Sequence, residues 1–262
     1  MSDGVTTRTE GAVCFVALDR PAKRNAIDRD LLARLVDAID AAAADRAVRA
    51  VVLHGEGPVF SSGVDFAMLR GDVGEGTAAG FRDRVRGMQA ALSRLETLET
   101  PVIAAMHRYA AGLALELALA CDLRVASADC ELGLPEVRLG LVPDVGGTTR
   151  LVRTIGYARA KELVLTGRMI SAGRAQDIGL VHEVVPVGTH LDAARRIAEE
   201  IAANAPLAVG VAKRLVDLGA NADAHTFLEL ELWAQSLLKS TADAREGALA
   251  AAERRPPRFT GR

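Results

Sequence analysis

The 262-residue sequence predicts an α/β fold with a C-terminal helical region, on three observations. Short apolar runs rich in Val and Ile, bounded by charge, Gly or Pro, read as buried strands. A helical pattern lies between the first two of them, which is the order of a crossover unit in a parallel sheet. Residues 193–252 are almost wholly helical in pattern.

The first expected strand is AVCFVAL, residues 12–18, and the next is RAVVLHG, residues 49–55. The helix between them, residues 28–45, carries Leu31, Leu32, Leu35, Val36 and Ile39 at helical spacing behind Asp28, which can cap it. A second helix is expected over residues 81–100, followed by a strand in PVIAAMHRYA, residues 101–110. LALELALA, residues 113–120, begins a third helix behind Gly112. In the helical tail, Phe227, Leu228, Leu230, Leu232, Trp233, Leu237 and Leu238 form more apolar surface than a lone tail should expose, so it is expected to pack within and between subunits. GDVGEGTAAG, residues 71–80, is Gly-rich but lacks the Lys and the preceding strand of a phosphate loop, and reads as a flexible surface loop.

Composition narrows the function. Thirty-two Lys and Arg against 34 Asp and Glu give a net charge of -2, which argues against a nucleic-acid surface and for a small-molecule substrate. Cys14, Cys121 and Cys130 have no metal-ligand or C-x-x-C spacing, and read as buried apolar residues in a reducing compartment. The N-terminus MSDGVTTRTEG lacks a basic segment followed by an apolar run, and no stretch approaches the ~18 apolar residues of a membrane span. A cytoplasmic protein with no membrane association and no metal is expected.

Two junctions and three acids are the candidates for chemistry. GEGPVFSSGVDFAML, residues 55–69, ends a strand in Gly-rich turn chemistry and resumes a helical pattern, leaving backbone N–H groups near Gly63 to Asp65 without a regular partner. Leu113 opens a helix behind Gly112, where the helix dipole favours negative charge. Together they read either as ordinary turns or as two donors of an oxyanion hole. Glu116 lies in a very apolar helix, as a site acid or a structural ion-pair member. Glu136 and Asp144 each follow a Pro, and each alone reads as a cap or turn residue. Ser61 and Ser62 with His54 or His107 lack the G-x-S-x-G turn and an orienting acid, which argues against a hydrolytic nucleophile.

Over nearly its whole length the chain resembles the crotonase superfamily, the enoyl-CoA hydratases and isomerases. DRPAKRNAID is similar to its N-terminal CoA-binding segment, FSSGVDF to its F-x-x-G-x-D oxyanion segment, and YAAGLALELALACDLRVAS to its Y-A-x-G-G-G-x-E-L-x-x-x-C-D segment. LPEVRLGLVPDVGGTTRL resembles the stretch with its second acid, and RAKELVLTGRMISAGRAQDIGLVHEVVP and DAREGALAAAERRPPRF its downstream parts. The resemblance implies a crotonase-like spiral of ββα turns over residues 1–192, with residues 193–262 as a helical oligomerisation region of a homotrimer or homohexamer.

It also implies roles. The backbone N–H groups of Val64 and Leu113 would hold a thioester oxygen. Glu116 and Glu136 fall on the two hydratase acids, and Asp144 on the acid used by some isomerases. Arg24, Ala26, Ser62 and Phe66 match positions along the CoA path, with Asp65 holding the turn. Arg254 matches a basic position that reaches the nucleotide of a neighbouring subunit in some members, while a nearby aromatic position is Ala251 here. Leu113 and Arg108 stand where Gly is usual. The implied activity is hydration of a 2-enoyl-CoA, with double-bond isomerisation or non-catalytic acyl-CoA binding as alternatives. Coenzyme A would be part of the substrate, with no separate cofactor.

Overall fold

A hairpin starts the main sheet. Strand β1 (Val5–Glu10) pairs antiparallel with β2 (Val13–Leu18), and Gly11 makes the turn at φ 59°. The computed structural model describes residues 4–72, 76–219 and 223–262. Strand β1 is not foreshadowed by the apolar runs, because VTTRTE is an exposed edge whose pairing with β2 supplies what its side chains do not.

From β2 the chain crosses through α1 (Arg29–Ala44) to β3 (Ala50–Gly55), which lies parallel to β2. The Asp28 side chain accepts from the Leu31 N–H at 2.8 Å, so the expected cap forms. After β3 come α2 (Phe66–Asp72) and α3 (Ala78–Thr97), then β4 (Val102–Met106) parallel to β3. The Gly-rich stretch 71–80 is therefore not one loop. Gly71 and Asp72 close α2, Thr77 caps α3 by accepting from the Gly80 N–H at 3.1 Å, and residues 73–75 lie outside the described residues.

Residues 101–110 also divide. Strand β4 ends at Met106, and β5 (Tyr109–Ala111) starts a second sheet after Arg108, whose φ of 55° is the left-handed conformation that explains why Gly suits this position. Helix α4 (Leu113–Ala120), β6 (Leu123–Ser127) and β7 (Glu131–Gly133) follow, then α5 (Gly147–Ile155) and α6 (Tyr157–Thr166). Strand β8 (Ile170–Ser171), α7 (Ala172–Asp177) and β9 (Glu183–Val185) complete the sheets. The large sheet runs β1-β2-β3-β4-β6-β9, parallel beyond the first pair, and the small one β5-β7-β8. Isolated parallel bridges, Ile27 to Val64 and Ser61 to Ala110, extend the small sheet through earlier turns of the spiral.

Both faces of the central strands β2, β3 and β4 are buried, as parallel strands inside a sheet require. Alternation along β2 sends Cys14, Val16 and Leu18 toward α1, α3 and α4, and Val13 and Phe15 toward α8 (His190–Ala202). Helix α8 thus covers the sheet through Ala193, Ala194 and Ala198, and a boundary between residues 192 and 193 runs through it. Helices α9 (Pro206–Gly219), α10 (Ala224–Leu238) and α11 (Ala242–Glu253) form the remaining helical part. The three cysteines are buried and unpaired, and burial pushes the Cys121 and Cys130 thiols up to about 12, leaving them inert small apolar groups.

Candidate active site

Two strand-to-helix junctions meet at the ends of β3 and β5. The Ile27 N–H donates to the Gly63 carbonyl at 2.7 Å, and the Asp65 N–H donates to the Ile27 carbonyl at 2.9 Å. Between these two bonds, Val64 turns its own N–H to the opposite side of the extended segment. Gly63 has φ 91°, and a Cβ there would collide with the Ala111 carbonyl oxygen, so glycine lets the first junction press against the second.

At the second junction Gly112 adopts φ 56° and ψ -125°, after which α4 begins. The N–H groups of Leu115 and Glu116 donate back to the Gly112 carbonyl, whereas the Leu113 N–H belongs to the first turn and has no partner within the helix. Val64 and Leu113 both line one cavity of about 390 Å³, so the structure brings the two expected donors to a common space.

All three acids line that cavity. Glu116, one turn into α4, is 2 % exposed and makes no ion pair among the described residues; its Oε1 accepts from the Val145 N–H at 3.0 Å and the Gly147 N–H at 2.7 Å. It therefore satisfies the first turn of α5 from another helix. Burial raises its carboxyl to about 7 and the neighbouring Glu136 and Asp144 push the same way, against the lowering by the two N–H bonds.

Glu136 opens a single 3-10 turn, Glu136–Leu139, after Pro135, and a Cβ on Gly112 would stand 2.8 Å from its Oε1. Its Oε2 is buried without a hydrogen-bond partner, the condition of an oxygen kept for something the chain does not supply. Burial, and then Asp144, raise this carboxyl to about 7 as well. Asp144 does not cap α5: the cap position is Gly146, with no side-chain bond, and the Gln89 side chain donates to the Asp144 carbonyl at 2.6 Å. Gly146, at φ 96°, makes the turn that the cap reading assigned to the aspartate, and burial and Asp72 raise the Asp144 carboxyl above the usual range.

Arg24, Ala26, Ser62, Asp65 and Phe66 form two adjacent strips. The Ser62 N–H donates to the Arg24 carbonyl at 3.0 Å, Asp65 Oδ1 accepts from the Ala67 N–H at 2.9 Å, and Phe66 opens α2 with 63 % of its surface exposed. Arg254 is not brought to them within one chain. It ends α11 at φ 54°, and the segment after it is held where Arg49, preceding β3, donates to the Phe259 carbonyl at 2.6 Å, the opposite end of β3 from Ser62.

Asn25 is a residue that the sequence patterns missed. It is fully buried at φ 53°, and its Nδ2 donates to the Glu56, Val59 and Phe60 carbonyls, tying the first strip to the turn that carries the second. An Asn between charged residues in a loop was the available signal, since Asn tolerates left-handed backbone. Ser61 is structural: its hydroxyl donates to the Asn25 carbonyl at 2.7 Å and accepts from the Gly63 N–H at 3.1 Å.

The sequence model of the enoyl-CoA hydratase/isomerase family matches residues 8–262. The chain belongs to this family. As a member of the enoyl-CoA hydratase/isomerase family it is 37 % identical to the 2,3-dehydroadipyl-CoA hydratase of Escherichia coli K12, over 100 % of both chains. It is also 37 % identical to the short-chain-enoyl-CoA hydratase of Clostridium acetobutylicum, over 97 % of this chain and 96 % of that protein. The crystal structure of an enoyl-CoA hydratase from Bacillus anthracis superimposes at a TM-score of 0.93 with 37 % identity, covering 99 % of this chain and 100 % of that one. The fold is thus the crotonase fold of that family.

Proposed function

We propose that the protein is an enoyl-CoA hydratase that adds water across the 2,3 double bond of a 2-enoyl-CoA. The observation that carries this reading is the unpartnered, buried Oε2 of Glu136 in the same cavity as Glu116 and the donors of Val64 and Leu113. Two interacting carboxyls raised toward neutrality hold one proton between them over a range of pH, so one serves as base toward water while the other delivers a proton. The thioester oxygen accepts from Val64 and Leu113, which stabilise the enolate that forms as water attacks C3. Arg24, Ala26, Ser62 and Phe66 border the CoA path, and Asp65 braces the turn between them.

The first test is the ultraviolet absorbance of the conjugated enoyl thioester. Hydration removes it, conversion of a 3-enoyl-CoA to the 2-enoyl-CoA creates it, and a non-catalytic binding protein changes neither. Loss of absorbance from a 2-enoyl-CoA supports the proposal; its persistence over many turnover times contradicts it.

A second reading, double-bond isomerisation, draws on Asp144, which is released from capping and lines the cavity. Under the hydratase reading Asp144→Asn keeps hydration within a few-fold of wild type, because the glutamate pair is complete without it. A variant with a wild-type melting temperature that no longer converts 3-enoyl-CoA would favour the isomerase.

Assembly belongs to the same proposal. Leu228, Leu232, Trp233 and Leu237 of α10 are each more than 60 % exposed, an apolar face that a trimer or hexamer would cover and through which Arg254 would reach a neighbour's nucleotide. Light scattering at micromolar concentration is expected to give three or six chains per particle, and a monomer would remove Arg254 from the CoA site. Three buried, unpaired thiols accord with a reducing, cytoplasmic setting. The relatives are named for acyl groups as different as dehydroadipyl and short-chain enoyl, so the acyl group depends on the cavity of each chain.

A further inference from the structure

Arg29 is the one cation among the described residues that line the acyl cavity, whose walls away from Glu116 and Glu136 are mostly apolar, with Met68, Leu69 and Met88 among them. It is the first residue of α1, and its Nη2 donates to Asp72 Oδ2, also on the cavity wall. The other oxygen of Asp72 is taken: Arg84 Nε donates to Oδ1 at 3.1 Å. One carboxylate is therefore shared by two guanidiniums. The Nε–H of Arg29 is buried and finds no acceptor among the described residues.

A hydrocarbon chain filling the cavity would leave that buried donor unsatisfied and would press apolar atoms against a partly exposed, incompletely neutralised cation, an arrangement that polar groups disfavour. An acceptor with negative charge would correct both faults, and a planar guanidinium is matched by a carboxylate. Among the described residues the remaining charged groups on the cavity wall are Glu116, Glu136 and Asp144. The first two carry the reacting end, and all three carboxyls are raised toward their neutral forms, Asp144 partly by Asp72 itself.

We propose that the acyl cavity selects a 2-enoyl-CoA whose far end carries a carboxylate, with Arg29 as the residue that determines this specificity. The inference rests on the hydratase reading for its reaction but not for its binding, and the experiment separates the two. The dissociation constants of adipyl-CoA and hexanoyl-CoA, saturated six-carbon thioesters that cannot be hydrated, are compared by calorimetry for the wild type, Arg29→Leu, Arg29→Lys and Asp72→Asn.

The wild type is expected to prefer adipyl-CoA by roughly 10–100-fold, the range for a hydrogen bond to a charged group. Arg29→Leu should abolish that preference while leaving hexanoyl-CoA binding equal or tighter. Arg29→Lys, which keeps the charge but not the fork, should retain part of it and serves if the leucine variant fails to fold. Asp72→Asn, which leaves Arg29 without its share of that negative charge, should increase it. Equal binding of the two thioesters by the wild type, or an equal loss for both in Arg29→Leu, would overturn the proposal. If both 2-enoyl analogues go unhydrated while the binding preference and its dependence on Arg29 persist, the hydratase reading fails and the specificity stands.

Discussion

Replacing Glu116 or Glu136 by glutamine is expected to lower kcat for hydration by roughly 10²–10⁴, with CoA-ligand binding close to wild type, because a positioned acid or base acts in the transition state. Glutamine keeps an oxygen that can accept from Val145 and Gly147, so position 116 retains its tie to the start of α5 while losing its ionisable proton. Hydration within a few-fold of wild type in either variant would remove that residue from the mechanism.

The same pair sets the pH dependence. With both carboxyls raised to about 7 and interacting, activity should follow a bell near neutrality: the acid limb protonates both groups and leaves no base, and the alkaline limb ionises both and leaves no acid. Stability follows a related rule. A carboxyl whose folded value lies above its unfolded one favours folding at low pH, and that contribution is lost as pH rises from the ordinary carboxylate range through about 7. Glu116→Gln removes this loss, so the variant should melt at or above the wild-type temperature in alkaline buffer while being nearly inactive. A variant that melted well below wild type there would show that Glu116 stabilises the fold in its ionised form.

The second large effect concerns Leu113. Proline is tolerated at the first position of a helix, where its missing N–H costs no intrahelical bond, so Leu113→Pro deletes a proposed oxyanion donor with α4 still able to start. Leu113→Ala supplies the control, since it shortens the same buried side chain but keeps the N–H. The proline variant should be slower than the alanine variant by roughly 10²–10³ in kcat, the effect of one oxyanion donor. Equal rates for the two would remove the Leu113 N–H from the reaction and leave Val64 as the one donor.

What the sequence made legible was local. The cap of α1 by Asp28, the start of α4 behind Gly112 and the anomaly of Glu116 among leucines each depend on residues within a turn or two of one another. The features that escaped pattern reading depend on contacts far along the chain. Strand β1 has no apolar alternation and exists because β2 offers an edge. Residues 101–110 look continuous in sequence, but Arg108 takes a left-handed turn that parts β4 from β5. Asp144 has the composition of a cap, but Gly146 makes that turn and Glu116, 31 residues before Gly147, takes the N–H. Asn25 sits in the segment whose resemblance pointed at CoA and Arg29 directly after it, yet what they bind is set by the turn after β3 and by Asp72.

In the proposed reaction Glu116 and Glu136 deliver solvent water to C3 of an enoyl thioester held by Val64 and Leu113. The mass of the product formed from a 2-enoyl-CoA in water enriched in heavy oxygen tests it most directly. A 3-hydroxyacyl-CoA with one solvent oxygen at C3 is expected, formed by the wild type and not at a measurable rate by the variant carrying both Glu116→Gln and Glu136→Gln. A product isomeric with the substrate and free of solvent oxygen, or equal incorporation with both glutamates replaced, would contradict it.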